Sequence, residues 1–333
     1  MNGLRNIEKG RNLSKWKYAV GAVICVTFSV TISAYVVLRR EEEAKFRTAF
    51  SQFSRTLGDA ALNHQHDLKH ALAMLSDGAT IAAANANATW PFFWWRGFES
   101  YAENFRTISQ AEIIAVNNIV AKGEREAYTH WSQEHYQEWI EEGHMIAHGN
   151  LNLLDNDTAK FNPYISRRNP AGEFVEDDER EFYVVRTTLS PPPRAYGPVT
   201  NWNINSVPTT ADSTAKLLEW KNQTIFSQSR PLQALPLEEH ATLHTDPSLD
   251  HPHTFVFAPV YEKLHNTESK IVGMTTAVVA WDTSMLHLLP SNVRGIFCVI
   301  KNSCGQTYSY GKSTQNVKRS QSSQSCTPRN QWR

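Results

Sequence analysis

The sequence predicts an α+β fold carried on a membrane anchor. Three observations predict it: an uncharged apolar run over residues 18–38, a heptad-like stretch over 41–84, and consecutive β-rich runs between Thr254 and Tyr310. A long helix followed later by sequential strands favours an antiparallel sheet over alternating βαβ units. The expected division is a cytoplasmic tail (1–17), a transmembrane helix (18–38), a membrane-proximal helical stalk (41–84), a folded domain (85–312) and a disordered polar tail (313–333).

The run 18–38 has 21 residues and no charge, about 31 Å of helix against a hydrocarbon thickness of about 30 Å. A cleaved signal peptide has a shorter apolar core and a small-x-small cleavage site, and only a poor one stands around Thr31 and Ser33. Arg5, Lys9, Arg11, Lys15 and Lys17 precede the span, while Arg39, Arg40, Lys45 and Arg47 follow it among Glu41, Glu42 and Glu43. That is a slight bias toward a cytoplasmic N-terminus. Glycosylation sequons at Asn87, Asn156 and Asn222 all follow the span and favour an extracellular or luminal domain, although Asn12-Leu13-Ser14 precedes it. Trp16, Tyr18 and Tyr35 suit the interfacial aromatic belt, so the lipid bilayer is the first expected partner.

Beyond the span, Phe46, Phe50, Phe53, Leu57, Ala60, His64, Leu68, Ala71 and Leu75 recur at steps of four and three, with a doubled four at His64. This is a heptad pattern with a stutter. It leaves two outcomes open: a homodimer through 41–84, or a long helix packed along its own domain. Ala and His at seam positions make a weak zipper.

The segment NANATWPFFWWR (85–96) ends the helix, because Pro91 lacks a donor and disfavours helix in the residue before it. A strand is expected over 111–120 and a helix over 122–148, in which Tyr128, Trp131, His135 and Trp139 form one inward aromatic face. Such a stripe is more often core than ligand box. Residues 150–208 read as irregular, with turn signals at 169–172, 191–193 and 196–198. A short helix is expected over 211–222, strands over 254–262, 270–281 and 294–301 with a hairpin partner at 306–310, and a short helix over 283–289 before Pro290.

The 33 basic and 33 acidic side chains cancel, which gives no nucleic-acid surface. An aromatic share of 11% with 10 Trp suits a folded domain with aromatic-lined grooves. Cys25 lies in the apolar run, and of the other three Cys304 with Cys326 is the preferred disulfide, because a strand over 294–301 carries Cys298 away from Cys304. Three free thiols are the alternative. The chain has no Gly-rich phosphate loop, no Gly-x-Ser-x-Gly elbow, no His-Glu-x-x-His pair and no paired Cys-x-x-Cys, so no catalytic residue or cofactor is assigned and an enzyme is not expected.

His66 with His70, and His144 with His148, have the spacing of a zinc pair, but 13 His make coincidence the simpler account and no metal is assigned. His251-Pro252-His253 reads as a solvated loop. Asp155-Asn156-Asp157 could hold a divalent metal against a nucleotide sugar, and a single anchor with a luminal domain is the plan of many Golgi glycosyltransferases. A polar turn holding a sequon is the simpler account there. A structural or adhesion ectodomain is a third possibility. For an unknown small-molecule ligand the candidate wall is Trp131, Trp139, Tyr196 and Trp202.

Several motifs also recur in a familiar order. They are Ala88-Thr89-Trp90-Pro91-Phe92, Tyr196-Gly197-Pro198 with Asn201-Trp202-Asn203, Phe257-Ala258-Pro259-Val260-Tyr261, Ile271-Val272-Gly273 leading to Trp281, Leu289-Pro290 with Gly295-Ile296, and Asn302-Ser303-Cys304-Gly305 running into Tyr308-Ser309-Tyr310. Over residues 40–312 this order resembles the membrane-anchored sensor region of diatom receptor-type guanylate or adenylate cyclases, a CHASE-like or PAS-related module. The resemblance implies ligand binding outside the cell, a dimeric helix that moves, and a second membrane helix leading to a cyclase domain. Here a polar tail follows residue 312 and no cyclase domain is present, so the family's catalysis does not carry over. The expectation is an incomplete gene model, or a sensor-only member acting through a cyclase or other signalling partner.

Overall fold

The computed structural model describes residues 2–148, 162–171, 173–190, 200–221, 223–227, 230–231, 252–281, 297–301, 307–312 and 317–322. It comprises two units, Met1–Ala60 and Ala61–Arg333.

Helix α1 (Asn2–Asn85) runs without a break, as a sequence with no proline before Pro91 allows. In the first unit it holds the one stretch among the described residues that is long and apolar enough to cross a bilayer, with a mean hydropathy of 2.1 and none of that window buried. The hydroxyls of Thr27, Ser29 and Thr31 each donate to the carbonyl four residues back at 2.8, 2.9 and 2.8 Å, which satisfies them without water. Past the apolar stretch, Lys45 pairs with Glu41 and Arg47 with Glu43, both at 2.8 Å. Phe46 and Phe50 stack at 6.0 Å with both rings largely exposed.

The second unit is built on a six-stranded antiparallel sheet. Its strands are β1 (Ile113–Ala121), β4 (Phe182–Ser190), β5 (Ile225–Phe226), β6 (Arg230–Pro231), β7 (Pro252–Tyr261) and β8 (Ile271–Ala280). The order is β4-β1-β8-β7-β5, with β6 also on β7. A two-stranded ribbon joins β2 (Ser166–Arg168) to β3 (Phe174–Glu176), and a three-stranded sheet has the order β11-β10-β9, from β9 (Phe297–Lys301), β10 (Thr307–Lys312) and β11 (Val317–Ser322). The helices are α2 (Phe98–Ser109), α3 (Arg125–His148) and α4 (Pro208–Trp220).

Strand alternation sends Ile114, Val116, Val256 and Ala258 to one face, where Leu68, Leu72, Leu75, Ala79 and Ala83 of α1 cover them. On the other face Phe257 and Met274 meet Trp202, Ile204 and Leu217, from the turn before α4 and from α4 itself. A bulge re-phases β8: Val260 pairs with Gly273 and Tyr261 with Ile271, so Val272 has no partner. Val272 therefore joins the α1 layer, while Ile271 and Met274 join the opposite one. Polar ties add to this packing, with Ser76 Oγ 2.7 Å from Thr275 Oγ1 and Thr80 Oγ1 donating to the Tyr261 carbonyl at 2.8 Å.

Several expectations change. From Leu68 onward the stalk's seam residues lie in their own domain, so a dimer seam through the whole of 41–84 is not available there. Within 150–208, read as irregular, the structure places β4, an edge strand fully buried from Tyr183 to Ser190. Burial on both faces removes the alternation that marks a strand in sequence. The supposedly disordered tail supplies β11, which adds backbone ladder bonds to the expected β9–β10 hairpin. The helix expected over 283–289 lies outside the described residues.

Candidate functional site

The NANATWPFFWWR segment wedges between α1 and the sheet. Asn118, buried in the middle of β1, donates through Nδ2 to the carbonyls of Pro91 and Phe93 at 2.7 and 2.6 Å. Its neighbour Asn117 donates to the Met274 carbonyl and to Thr276 Oγ1 at 3.1 and 2.8 Å. Two glycines make room for two indoles. A Cβ at Gly78 of α1 would lie 2.9 Å from the Trp95 ring, and one at Gly273 would lie 3.2 Å from the Trp90 ring and 2.8 Å from the Asn117 carbonyl.

This wedge brings Trp94 and Trp95 against the later turns of α3 and the start of α2. The result is a shallow, half-open cleft with room for about 20 Å³, lined by Trp94, Trp95, Phe98, Glu99, Trp139, Glu142, Gly143, Ile146, Thr188 and Leu189. The Trp94 and Trp139 rings lie 5.9 Å apart, and Trp131 backs Trp139 at 5.4 Å. Trp95 and Phe98 meet edge to face at 5.4 Å.

Two carboxylates share the wall. Glu142 accepts from the Gly97 N–H at 2.7 Å, at the open N-terminus of α2, and burial raises its pKa against the pull of that bond and of Arg96. Burial likewise raises Glu99, opposed by Ser190 and by Arg106, which pairs with it at 2.9 Å. Arg106 also donates through Nε to Ser190 Oγ at 2.7 Å, fixing its guanidinium on the rim. Two of the lining residues hold a buried polar atom with no hydrogen-bond partner among the described residues: the indole Nε1 of Trp139, a residue 1% exposed, and Oγ1 of Thr188, 3% exposed.

Of the candidate residues, the structure brings Trp139 to the cleft and sets Trp131 behind it, between Phe92, Tyr128 and His135. Trp202 belongs to a different cluster, stacked under the Arg186 guanidinium at 4.8 Å and edge-on to Phe174 at 6.1 Å. Its flanking residues have structural duties. Asn201 donates to Ser132 Oγ at 2.8 Å, and Asn203 donates at 2.6 Å to Asp177, a fully buried carboxylate that also holds Arg180 at 3.0 Å. Tyr196, Asn156, Asn222, Asp155, Asp157, Cys304 and Cys326 lie outside the described residues. Asn87 is exposed in the turn after α1, with Thr89 of its sequon also exposed. His66 and His70 place their rings 5.1 Å apart, and among the described residues no group of three or more His, Cys, Asp or Glu could hold a metal ion. Trp94, Glu99, Glu142 and Thr188 were not anticipated. They come from four stretches of chain, and only the density of aromatics in 90–95 hinted at any of them.

No protein-family model matches the chain, and no curated protein matches it.

Proposed function

We propose that the chain is a membrane-anchored ligand-sensing domain of a receptor-type signalling protein, PAS- or CHASE-like in its second unit, with a cytoplasmic N-terminus and the sheet domain on the extracellular or luminal side. What supports this reading is the order of elements: an apolar stretch long enough to span a bilayer, followed along the chain by a helix-and-sheet domain with an antiparallel sheet and a shallow aromatic-lined surface cleft. The cleft is lined mostly by aromatic and aliphatic side chains, with Glu99, Glu142 and Thr188 among its polar ones. It does no chemistry in this proposal. Contact with a second copy falls to the seam positions before Leu68, namely Phe46, Phe50, Phe53, Leu57, Ala60 and His64, because those from Leu68 onward are spent inside the domain.

The test is a thermal-shift screen of the full chain in detergent against amino acids, amines and organic acids, where a ligand of the folded state raises the midpoint. No shift from any of them at millimolar concentration overturns the sensing role. Orientation is checked separately by expression in a glycosylating host. Loss of one glycan's worth of mobility on Asn87→Gln is expected, whereas an unglycosylated wild-type chain would argue for the opposite topology.

A further inference from the structure

His66 and His70 lie exposed on α1, one turn apart, with ring centroids 5.1 Å from each other. Positions i and i+4 of a helix share a face, so two imidazoles there can each offer a nitrogen to one ion. The other histidines whose side chains are described are engaged elsewhere. His130 meets Glu134 at 3.3 Å, His135 the Trp131 carbonyl at 2.8 Å, His253 Glu112 at 2.8 Å and His265 Asp77 at 3.6 Å, and His64 has a partner of its own. Neither His66 nor His70 has a hydrogen bond or an ion pair among the described residues. Asp67, exposed beside His66, adds a negative charge, while Lys69 holds its ammonium over the Phe226 ring at 5.5 Å.

Imidazole suits zinc, copper and nickel ions, whereas Mg2+ and Ca2+ take oxygen donors. No third His, Cys, Asp or Glu joins the pair among the described residues. Zinc is ordinarily held by three or four protein ligands in a tetrahedron. Cu2+ accepts a tetragonal set in which two neighbouring nitrogens are completed by water, and it stands highest in affinity among the divalent ions of its row. We propose that His66 and His70 form a two-imidazole chelate for Cu2+ on the exposed face of α1, with water filling the other positions. The site uses neither the aromatic cleft nor a second copy, so it stands or falls apart from the sensing role.

The experiment titrates the untagged full chain in detergent with Cu2+, buffered by glycine as a competing chelator, and in parallel with Zn2+ and Mg2+. His66→Gln and His70→Gln are each expected to weaken the tightest Cu2+ site by at least about tenfold, and the double variant to bind one equivalent fewer. The electron paramagnetic resonance spectrum of the first Cu2+ equivalent should lose the hyperfine structure of one nitrogen in each single variant. Zn2+ should bind the pair more weakly than Cu2+, and Mg2+ should not bind it. Gln is a good helix former at an exposed position, so the melting midpoint without metal should hold; His66→Ala and His70→Ala repeat the titration should a Gln variant melt early. Equal Cu2+ affinity and stoichiometry in the wild type and the double variant overturns the site and assigns the copper to other histidines. Tighter Zn2+ than Cu2+ at this pair overturns the choice of metal.

Discussion

Two stretches of α1 both carry apolar side chains and meet opposite fates. In the first unit, Val23, Ile24 and Phe28 are 65, 54 and 65% exposed, and Phe46 and Phe50 are 68 and 51% exposed. In the second, Leu68, Leu72, Leu75 and Ala79 are 2, 1, 0 and 0% exposed under the sheet. An apolar stripe states that something covers it without stating what, and the structure supplies the cover for the second stretch alone, in the chain's own strands. The difference lies in the neighbours. Ser76 and Thr80, which bond Thr275 and Tyr261, interrupt the stripe only where the sheet is present to satisfy them.

The contrast can be broken at several points. Leu75→Ala opens a cavity in the layer between α1 and the sheet and is expected to cost about 2–5 kcal/mol by denaturant unfolding. Val26→Arg leaves the domain's unfolding untouched but charges the centre of the apolar stretch, at about 2.5–3.5 kcal/mol of insertion free energy, read as lost membrane integration. Gly78→Ala drives a methyl group onto Trp95 and is expected to cost about 1–3 kcal/mol, whereas Gly21→Ala, with open space around it, should have no such effect. Phe50→Ala should change domain stability by less than about 0.5 kcal/mol. If Phe50→Cys chains crosslink as dimers and Met74→Cys chains do not, the seam is confined to the first stretch.

A smaller effect comes from the cleft. Glu99 and Glu142 have pKa values raised above the ordinary 4.5 by burial, with Glu103 adding to the rise of Glu99 while Arg106 and Ser190 oppose it, and Arg96 opposing that of Glu142. A raised carboxyl holds more protons in the folded than in the unfolded chain just above that value. Its contribution is therefore present at low pH and is lost as pH rises through the window. Glu142→Gln should flatten that part of the stability profile, measured as the denaturation midpoint across the mildly acid range.

Much of the second unit was legible in sequence. β1, β7, β8 and the β9–β10 hairpin are β-branched or aromatic runs between turn signals, and α3 shows in its aromatic stripe. β4 was not, because FYVVRTTLS is buried on both faces from Tyr183 onward and carries Arg186 and two threonines that blur an apolar run. α2 was missed because a twelve-residue helix with charged and aromatic residues interleaved, opening on a glycine at φ 74°, carries no start signal. Trp139 was legible as a member of the stripe. Glu142, one turn further, looked like any solvated acid, since its burial depends on Trp94 and Gly97 arriving from a segment some 45 residues earlier.

The two indoles seated on glycines also set a limit on motion. A one-residue rotation of α1 about its axis, about 100°, would turn Asp77 or Ala79 under Trp95 in place of Gly78. Because Trp90 is seated on Gly273 in the same way, five residues earlier, the segment acts as a key cut for one helix and one strand. Sliding this stretch of α1 over the sheet would mean lifting Trp95 from its notch, so the two glycine seats fix a single register between Gly78 and the strand that holds Gly273.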